Sequence, residues 1–300
     1  MNKAQHPIKV GVIGLGIMGR AYARRMCEAG LNVCGFDIDP TACERLSGYG
    51  GTSLASPAEV AARSNVILLA LATKEALHDV VSGNEGIVKA MAAGTVVCEM
   101  GTFPLEEKLR MAEAVESAGG IALDAPVSGT GAQAAVGDLA IYVSGDEAVL
   151  PVVRPAFEAI SRKIIHTGAF GSGIKMKIVA NLLVAIHNVA AAEALLLAER
   201  SGLDLKLTFD AITSGAGTSR MLEVRGPLMI EDRYTPATVT QTVFAKDLAI
   251  IMKHAQSAKT PTPLLAATLP FYNAALAAGY DNEDTASVFA VLKEMTKPAV

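Results

Sequence analysis

The sequence has little charge and no excess of basic residues. Charged side chains make up 19% of its 300 residues, apolar side chains make up 51%, and the formal net charge is −4. A chain this apolar is typical of globular rather than disordered proteins. Because there is no basic excess, nothing favours binding to nucleic acid or to an anionic membrane surface. We therefore expect neither a nucleic acid nor a membrane as a partner.

Cysteine and histidine are also scarce, and neither shows the spacing of a ligand set. The cysteines, with no Cys-x-x-Cys pair among them, are Cys27, Cys34, Cys43 and Cys98. This usage predicts reduced thiols without a disulfide framework, as in a cytoplasmic protein. The five histidines share no ligand spacing, so no metal site is predicted.

The sequence shows no secretory signal and no apolar run of the length that spans a bilayer. Residues 1–10 are polar and lead directly into a predicted strand. The most apolar run, residues 182–198, contains His187, Asn188 and Glu193 and falls short of a bilayer span. We interpret this run as a helix buried in protein.

Strands and helices alternate regularly in the first half of the chain. Short apolar or β-branched segments predict strands at residues 8–13, 31–36, 66–72, 95–100, 120–124 and 139–143. This alternation is typical of a doubly wound parallel sheet, whereas the pattern after about Gly173 is helical. The predicted fold class is an α/β Rossmann-type sheet followed by an all-α C-terminal domain. We expect a long helix to join a domain of residues 1–170 to one of residues 171–300.

The first predicted strand is followed by a glycine motif that opens a helix. The motif consists of Gly14, Leu15, Gly16, Ile17, Met18 and Gly19. Its first glycine allows a tight turn, the second lets the backbone approach a pyrophosphate, and the third lets helix and strand pack closely. Asp37, at the end of the next strand, is placed to accept both ribose hydroxyls of NAD and to repel the extra phosphate of NADP. The pattern predicts NAD as cofactor, with NADP less favoured.

A second motif begins with Gly171 and Gly173 and continues into a helix that carries Lys177 and Asn181. Residues four apart lie on one helical face. The positive end of the helix dipole disfavours the charged form of a lysine in the first turns, and burial has the same effect. Such a lysine can exchange a proton near neutral pH, although a solvated helix start would show the same spacing.

A third motif follows the strand that ends at Asp124. Its small residues have free backbone N–H groups, and Ser128 and Thr130 add hydroxyls. Ligands of doubly wound sheets bind outside the carboxyl ends of the strands. The loop is therefore a candidate cradle for a carboxylate, with an ordinary tight loop as the alternative.

These motifs resemble those of the β-hydroxyacid dehydrogenases. The resemblance covers nearly the whole chain and includes the glycine motif, the runs from Asp124 to Gly129 and from Gly171 to Asn181, and Lys246-Asp247-Leu248. It implies a C-terminal domain like that of 6-phosphogluconate dehydrogenase and an active site between the two domains. It also implies NAD-dependent oxidation of a small 3-hydroxy acid of the 3-hydroxyisobutyrate or tartronate semialdehyde–glycerate type.

The resemblance also implies roles for individual residues. It makes Lys177 the general acid and base, with Asn181 as the neighbour that orients the substrate. It makes Ser128 and Gly129 the residues that bind the substrate carboxylate. Lys246 would close the site over cofactor and substrate.

Further matches to the family come with departures. Leu71 and Ala72 match the turn that touches the cofactor, although the family usually has proline at the second position. Thr102 matches a threonine near the nicotinamide. Thr130 stands where members often have glycine, so the pocket shape should differ. Arg220 matches an arginine of the tartronate semialdehyde branch and could contact a polar acid substrate, but a solvated arginine at a helix end explains it equally well.

The same residues leave two alternative functions open and predict an oligomeric state. Imine reductases share the scaffold but generally lack the lysine, and a non-catalytic NAD-binding assembly module would not need Lys177, Asn181 and Ser128. Residues 182–198 are more apolar than a small helical domain can cover by itself. We therefore expect a homodimer or a homotetramer.

Overall fold

The computed structural model describes residues 8–296. The polar N-terminal segment on which the absence of a signal was predicted lies mostly outside these residues. The chain divides into two compact units, Met1–Lys177 and Ile178–Val300.

The first unit is built on a six-stranded parallel sheet with the order β3-β2-β1-β4-β5-β6. Its strands are β1 (Lys9–Ile13), β2 (Asn32–Phe36), β3 (Thr52–Ser53), β4 (Val66–Leu69), β5 (Val96–Glu99) and β6 (Ile121–Asp124). The strand order reverses direction between β1 and β4, which is the arrangement of a Rossmann-type sheet. The predicted fold class is confirmed, although β3, only two residues long, was not predicted and β4 ends three residues before the predicted end.

Both faces of this sheet are buried. Val10, Val12 and Leu68 belong to one apolar cluster, whereas Ile13 and Ile67 belong to another. Successive side chains of a strand point to opposite faces, so the two clusters lie on opposite sides of the sheet. This explains why the strands read as continuous apolar runs rather than as alternating ones.

Helices flank the strands of the first unit. They are α1 (Ile17–Glu28), α2 (Pro40–Gly48), α3 (Pro57–Arg63), α4 (Lys74–Ser82), α5 (Leu105–Ser117), α6 (Gly131–Ala135) and α7 (Leu150–Ile160). Local sequence sets several of their starts. The Asp39 side chain accepts a hydrogen bond from the Thr41 amide, with Pro40 in the first turn, and Ser56 caps α3 in the same way.

A smaller three-stranded sheet completes the first unit. It contains β7 (Val127–Ser128), β8 (Leu139–Val143) and β9 (Ser161–His166), with β7 antiparallel and β9 parallel to the central β8. Only β8 was predicted. Strand β9 was missed because it follows α7 directly, without a turn residue to mark its start.

The remaining described helices are α8 (Ser172–Arg200), α9 (Leu205–Thr213), α10 (Arg220–Ile230), α11 (Gln241–Ser257), α12 (Pro263–Ala277) and α13 (Val288–Met295). Helix α8 begins in the first unit and continues in the second. Within residues 172–296 the structure contains no strand, and a single isolated bridge pairs Thr240 with Asp284. The predicted long helix and all-α C-terminal part are confirmed.

Helix α8 is long and apolar enough to cross a membrane by length and composition alone. Its most apolar window has a mean hydropathy of 1.7, and 44% of that window is buried inside the protein. Residues 182–198, which we predicted to fall short of a bilayer span, form only part of this helix of 29 residues. Core helices of globular proteins pass the same test. Asn188 makes polar contacts typical of such a core, since its amide donates to Tyr272 Oη at 3.2 Å and to the Thr285 carbonyl at 2.9 Å.

A buried carboxylate, Asp284, organises the second unit. Its Oδ2 accepts hydrogen bonds from the Thr238 amide at 2.8 Å, the Thr238 hydroxyl at 2.5 Å and the Val239 amide at 3.3 Å. Its Oδ1 accepts from the Ala286 amide at 3.0 Å and lies 3.3 Å from Nε of buried Arg225. These contacts tie α10 to the segments that precede α11 and α13.

Candidate functional site

The glycine motif, residues 14–19, forms the loop after β1 and the first residues of α1, and we call it the glycine loop. Its backbone has the geometry that the motif predicts. Gly14 has a φ of +86°, and a Cβ there would lie 2.5 Å from the Ala70 carbonyl oxygen. A Cβ at Gly19 would overlap the Gly14 carbonyl oxygen. At Gly16, by contrast, a Cβ would meet nothing within 4 Å. The loop is therefore closed where it packs on the sheet and open at Gly16, and this open face fits the pyrophosphate of a dinucleotide.

Asp37 lies beside this loop at the end of β2. Its Oδ2 accepts a hydrogen bond from the Leu15 amide at 2.6 Å, and its Oδ1 accepts from the Asp39 amide at 2.8 Å. The two bonds hold the half-buried carboxylate against the loop, where it can meet a ribose. Its neighbour Ile38 is 91% exposed and carries no positive charge.

The other predicted cofactor residues lie near the carboxyl ends of neighbouring strands. Leu71 and Ala72 follow β4, and Thr102 follows β5. Strands β1, β4 and β5 run parallel and side by side, so these residues share one edge of the sheet with the glycine loop. Ile17 and Met18 are the first residues of α1; Ile17 is exposed, and Met18 is half-buried.

The predicted carboxylate loop packs against the glycine loop. A Cβ at Gly131 would lie 2.5 Å from Cγ2 of Ile17. Gly129 has a φ of +137°, a conformation that favours glycine, and a Cβ there would lie 2.5 Å from the Leu139 side chain. Ser128 ends β7, whereas the Thr130 amide donates to the Gln133 side chain at 3.0 Å. Thr130 and Gln133 form a capping box at the start of α6, so a contact between the Thr130 hydroxyl and a substrate stays a prediction.

Helix α8 begins directly on the end of β6. The Ile174 amide donates to Asp124 Oδ2 at 2.7 Å, and the Gly173 amide donates to Ser144 Oγ at 2.9 Å. A Cβ at Gly173 would lie 2.8 Å from the Asp124 carbonyl oxygen and would also overlap the Tyr142 carbonyl oxygen. Glycine is therefore required here because the backbones approach so closely.

The two functional candidates on α8 share its buried face. Lys177 and Asn181 are both buried, whereas Lys175 is exposed. Asn181 Nδ2 donates to Asp247 Oδ2 at 2.9 Å, which connects α8 to the Lys246-Asp247-Leu248 segment on α11. Lys246 is exposed beside Asp247.

Arg220 lies at the start of α10, and its side chain is 65% exposed. Its Nη1 donates to Glu223 Oε2 at 3.0 Å, one turn along the same helix. This is the geometry of an exposed ion pair at a helix end, which contributes little to stability. Contact between Arg220 and a substrate stays a prediction.

A buried ion cluster escaped the sequence analysis. Lys108 on α5 lies with its Nζ 2.5 Å from Glu99 Oε2 and 2.6 Å from Asp124 Oδ1, and all three side chains are 0% exposed. Burial raises the pKa of Glu99 above its usual range, although the neighbouring Lys108 lowers it. Burial disfavours the Lys108 ammonium too, but the two carboxylates outweigh it and raise the pKa of Lys108. Glu99 is the sequence feature that could have predicted this cluster, since a carboxylate at the end of a buried apolar strand needs a partner of opposite charge.

Among residues 8–296, no group of three or more histidine, cysteine, aspartate or glutamate side chains is placed to hold a metal ion. The four cysteines, all within the described range, are free thiols.

Comparison with known families covers nearly the whole chain. Residues 9–168 match the NAD binding domain of 6-phosphogluconate dehydrogenase, and residues 171–292 match the NAD-binding domain of NADP-dependent 3-hydroxyisobutyrate dehydrogenase.

Individual relatives align along their full lengths. The chain is 35% identical to an L-threonate dehydrogenase of Cupriavidus necator, with 96% of this chain and 97% of the relative covered. It is 33% identical to a 2-hydroxy-3-oxopropionate reductase of Escherichia coli, with 96% and 98% covered. The crystal structure of a 3-hydroxyisobutyrate dehydrogenase from Salmonella typhimurium superposes with a TM-score of 0.84 at 32% identity, with 95% of this chain and 99% of that chain covered.

Proposed function

The chain belongs to the β-hydroxyacid dehydrogenase family and is an NAD(P)-dependent oxidoreductase, and on that premise we propose a specific reaction. It transfers a hydride between NAD and a small hydroxy acid, with Lys177 as the general acid and base. The observation that carries the proposal is the face of α8, where Lys177 and Asn181 are buried and Lys175 is exposed. Two relatives support the substrate class, since their names specify L-threonate and 2-hydroxy-3-oxopropionate.

The residues fit a dinucleotide at the glycine loop, through the open face of Gly16 and the carboxylate of Asp37. The nicotinamide supplies the redox chemistry, and the protein binds, orients and moves a proton. We also propose that residues 1–170 form the cofactor domain and residues 171–300 the substrate domain.

Lys177 moves the proton in this proposal. In the oxidation direction its neutral amine accepts the proton of the substrate hydroxyl, and in reduction its ammonium returns it. The bond from Asn181 to Asp247 fixes which end of the Asn181 amide is the donor. The Asn181 oxygen is then left as an acceptor that can orient a substrate hydroxyl. Ser128 and Gly129 bind the substrate carboxylate beside the glycine loop.

A substrate screen tests the reaction directly. We expect NADH to form with a subset of small hydroxy acids when 3-hydroxyisobutyrate, glycerate, L-threonate and related sugar acids are offered with NAD. Absorbance at the NADH band follows turnover. NADH binding without turnover across the panel, in both directions, would show a non-catalytic module, and turnover restricted to cyclic imines would show an imine reductase.

Cofactor choice should follow Asp37. Because its carboxylate is fixed beside Leu15, we expect kcat/KM to favour NAD over NADP. The double variant Asp37→Ser/Ile38→Arg should shift this preference towards NADP, since it removes the repulsion and adds a cation for the 2′-phosphate. Steady-state kinetics with both cofactors measures the ratio, and Ile38→Arg alone is the control that keeps Asp37. A wild-type preference for NADP would contradict the role of Asp37.

Assembly as a homodimer or homotetramer is a further proposal, supported by the surface of the second unit. An exposed apolar stripe runs along α8 through Val179, Leu183, Ala190 and Leu197. These positions are four and seven residues apart and so share one face. None of the nine residues of α9 is buried. A second copy of the chain would remove this apolar surface from water.

The stripe should therefore control the oligomeric state. We expect light scattering to give at least a dimer for the wild type at micromolar concentration, and Leu183→Glu to weaken it by placing a charge in the interface. Val152→Glu is the matched control, since Val152 on α7 is exposed to a similar extent as Leu183, 44% against 47%. A monomeric wild type, or equal weakening by both variants, would refute this assignment.

A further inference from the structure

The cluster of Glu99, Lys108 and Asp124 carries a large desolvation penalty, because all three side chains are fully buried. Glu99 and Asp124 are directly paired residues at the ends of neighbouring strands β5 and β6, so their carboxylates face each other. Lys108 reaches between them from α5 at 2.5 and 2.6 Å. The attraction between buried charges seldom exceeds their desolvation penalty by much, so such a cluster is weak evidence for a gain in folding stability. Its geometry suggests another use.

One member of the cluster holds the start of α8. The Oδ1 of Asp124 contacts Lys108, whereas its Oδ2 accepts hydrogen bonds from the Ile174 amide at 2.7 Å and the Ser144 hydroxyl at 3.1 Å. Ser144 Oγ in turn accepts from the Gly173 amide at 2.9 Å. Two amides of the first turn of α8 are thus satisfied by a carboxylate and a hydroxyl that belong to other elements. A carboxylate at this end also complements the helix dipole.

The same turn leads directly to the proposed acid and base. Ile174 is three residues before Lys177, which is slightly less than one helical turn. Both lie within the single helix α8, so the direction set at Ile174 is transmitted to Lys177 without a flexible joint. Misplacement of a reacting group by about 1 Å can cost about 10²-fold in rate.

We propose that Lys108 is a positioning residue for the reaction. It fixes the carboxylate of Asp124 between the Lys108 ammonium and the Ile174 amide, and Asp124 in turn fixes the first turn of α8 and the amine of Lys177. This rests on the proposed function of Lys177. Without Lys108, the two facing carboxylates repel each other or share a proton, and either change weakens the hold of Asp124 on the helix.

The test compares Lys108→Met with Ser144→Ala. Lys108→Met should lower kcat about 10- to 100-fold, with KM and the NADH dissociation constant changed less than about threefold, because positioning of the acid and base is lost while binding remains. Amide hydrogen exchange should accelerate in residues 172–177 and not in the glycine loop. Adding Glu99→Gln to Lys108→Met should restore part of kcat, because the repulsion on Asp124 is removed.

Ser144→Ala keeps every charge and removes the acceptor of the Gly173 amide together with the hydroxyl that donates to Asp124. It should show the same local acceleration of exchange with a smaller loss of kcat, and it carries the test if Lys108→Met does not fold. Arg225→Met is the matched control, since it removes a buried cation elsewhere and should leave exchange at residues 172–177 unchanged. The proposal is overturned if amide exchange at residues 172–177 is unchanged in both Lys108→Met and Ser144→Ala. It is also overturned if kcat of Lys108→Met stays at the wild-type value.

The two proposals fail separately. If the wild type turns over no hydroxy acid, the proposed reaction falls. Hydrogen exchange needs no turnover, so it still decides whether Lys108 and Ser144 hold the first turn of α8.

Discussion

Replacing Lys177 with alanine should lower kcat by ~10²–10⁴-fold, the range typical of a lost general acid or base. The affinity for NAD should change little, because we propose that the glycine loop and Asp37 make the main contacts with the dinucleotide. Steady-state kinetics together with NADH binding separates the two effects. Oxidation needs the neutral amine, so the wild-type rate should rise with pH, and this rise should be absent from the residual activity of the variant.

Two further lysine variants define the face of α8 that carries the chemistry. Lys177→Arg should fail as Lys177→Ala does, since a guanidinium stays protonated and cannot accept the substrate proton. Lys175→Ala is the control because this neighbour is exposed, and it should be mild. If kcat falls strongly in Lys175→Ala and stays near the wild-type value in Lys177→Ala, the catalytic face of α8 is wrongly assigned. If neither variant loses activity, Lys177 is structural.

Asp284→Ala should destabilise the second unit by about 3–5 kcal/mol, as removal of one partner from a buried ion pair typically does. The change leaves the Arg225 guanidinium buried without its carboxylate and removes the acceptor of four hydrogen bonds, from Thr238, Val239 and Ala286. Denaturant unfolding of the full chain measures the loss. Asp281→Ala, which truncates an exposed aspartate nearby, should fall within about 0.5 kcal/mol of the wild type. Similar stability of Asp284→Ala and the wild type would contradict the prediction.

The same carboxylate should make the second unit sensitive to acid. Burial opposes ionisation of Asp284, but Arg225 and the hydrogen bonds from Thr238 and Ala286 outweigh it and hold the pKa of Asp284 below its usual range. A lowered pKa contributes stability that is complete above the pKa of the unfolded chain, about 4, and is lost as pH falls towards the folded value. Unfolding of the wild type should therefore become easier below about pH 4. Asp284→Asn should be less stable at neutral pH and less dependent on pH in that range.

Features fixed by neighbouring residues could be predicted from the sequence. The turn at Gly14 and the shared face of Lys177 and Asn181 follow from spacings within one loop or one helix. The doubly wound parallel sheet of the first unit follows from the alternation of strands and helices. Burial on both faces made five of its six strands visible as apolar runs.

Features that join distant residues could not be predicted in this way. Lys108 reads as an ordinary lysine on an amphipathic helix, and only the sheet register brings Glu99 and Asp124 to it. Arg225 and Asp284 likewise come from different helical segments. Strand β9 pairs with β8, yet its own residues carry no alternation strong enough to mark it. In each case the partner, rather than the local pattern, determines the structure.

The three glycines of the glycine loop are constrained for different reasons. Gly14 and Gly19 are required by the packing of the loop on its own backbone and on Ala70, whether or not a dinucleotide binds. A Cβ at Gly16 would meet nothing within 4 Å, so the fold itself allows a side chain there, and we expect a bound dinucleotide to be what opposes one. In a descendant that gives up the cofactor but keeps the fold, mutation would accumulate at Gly16 while Gly14 and Gly19 persist.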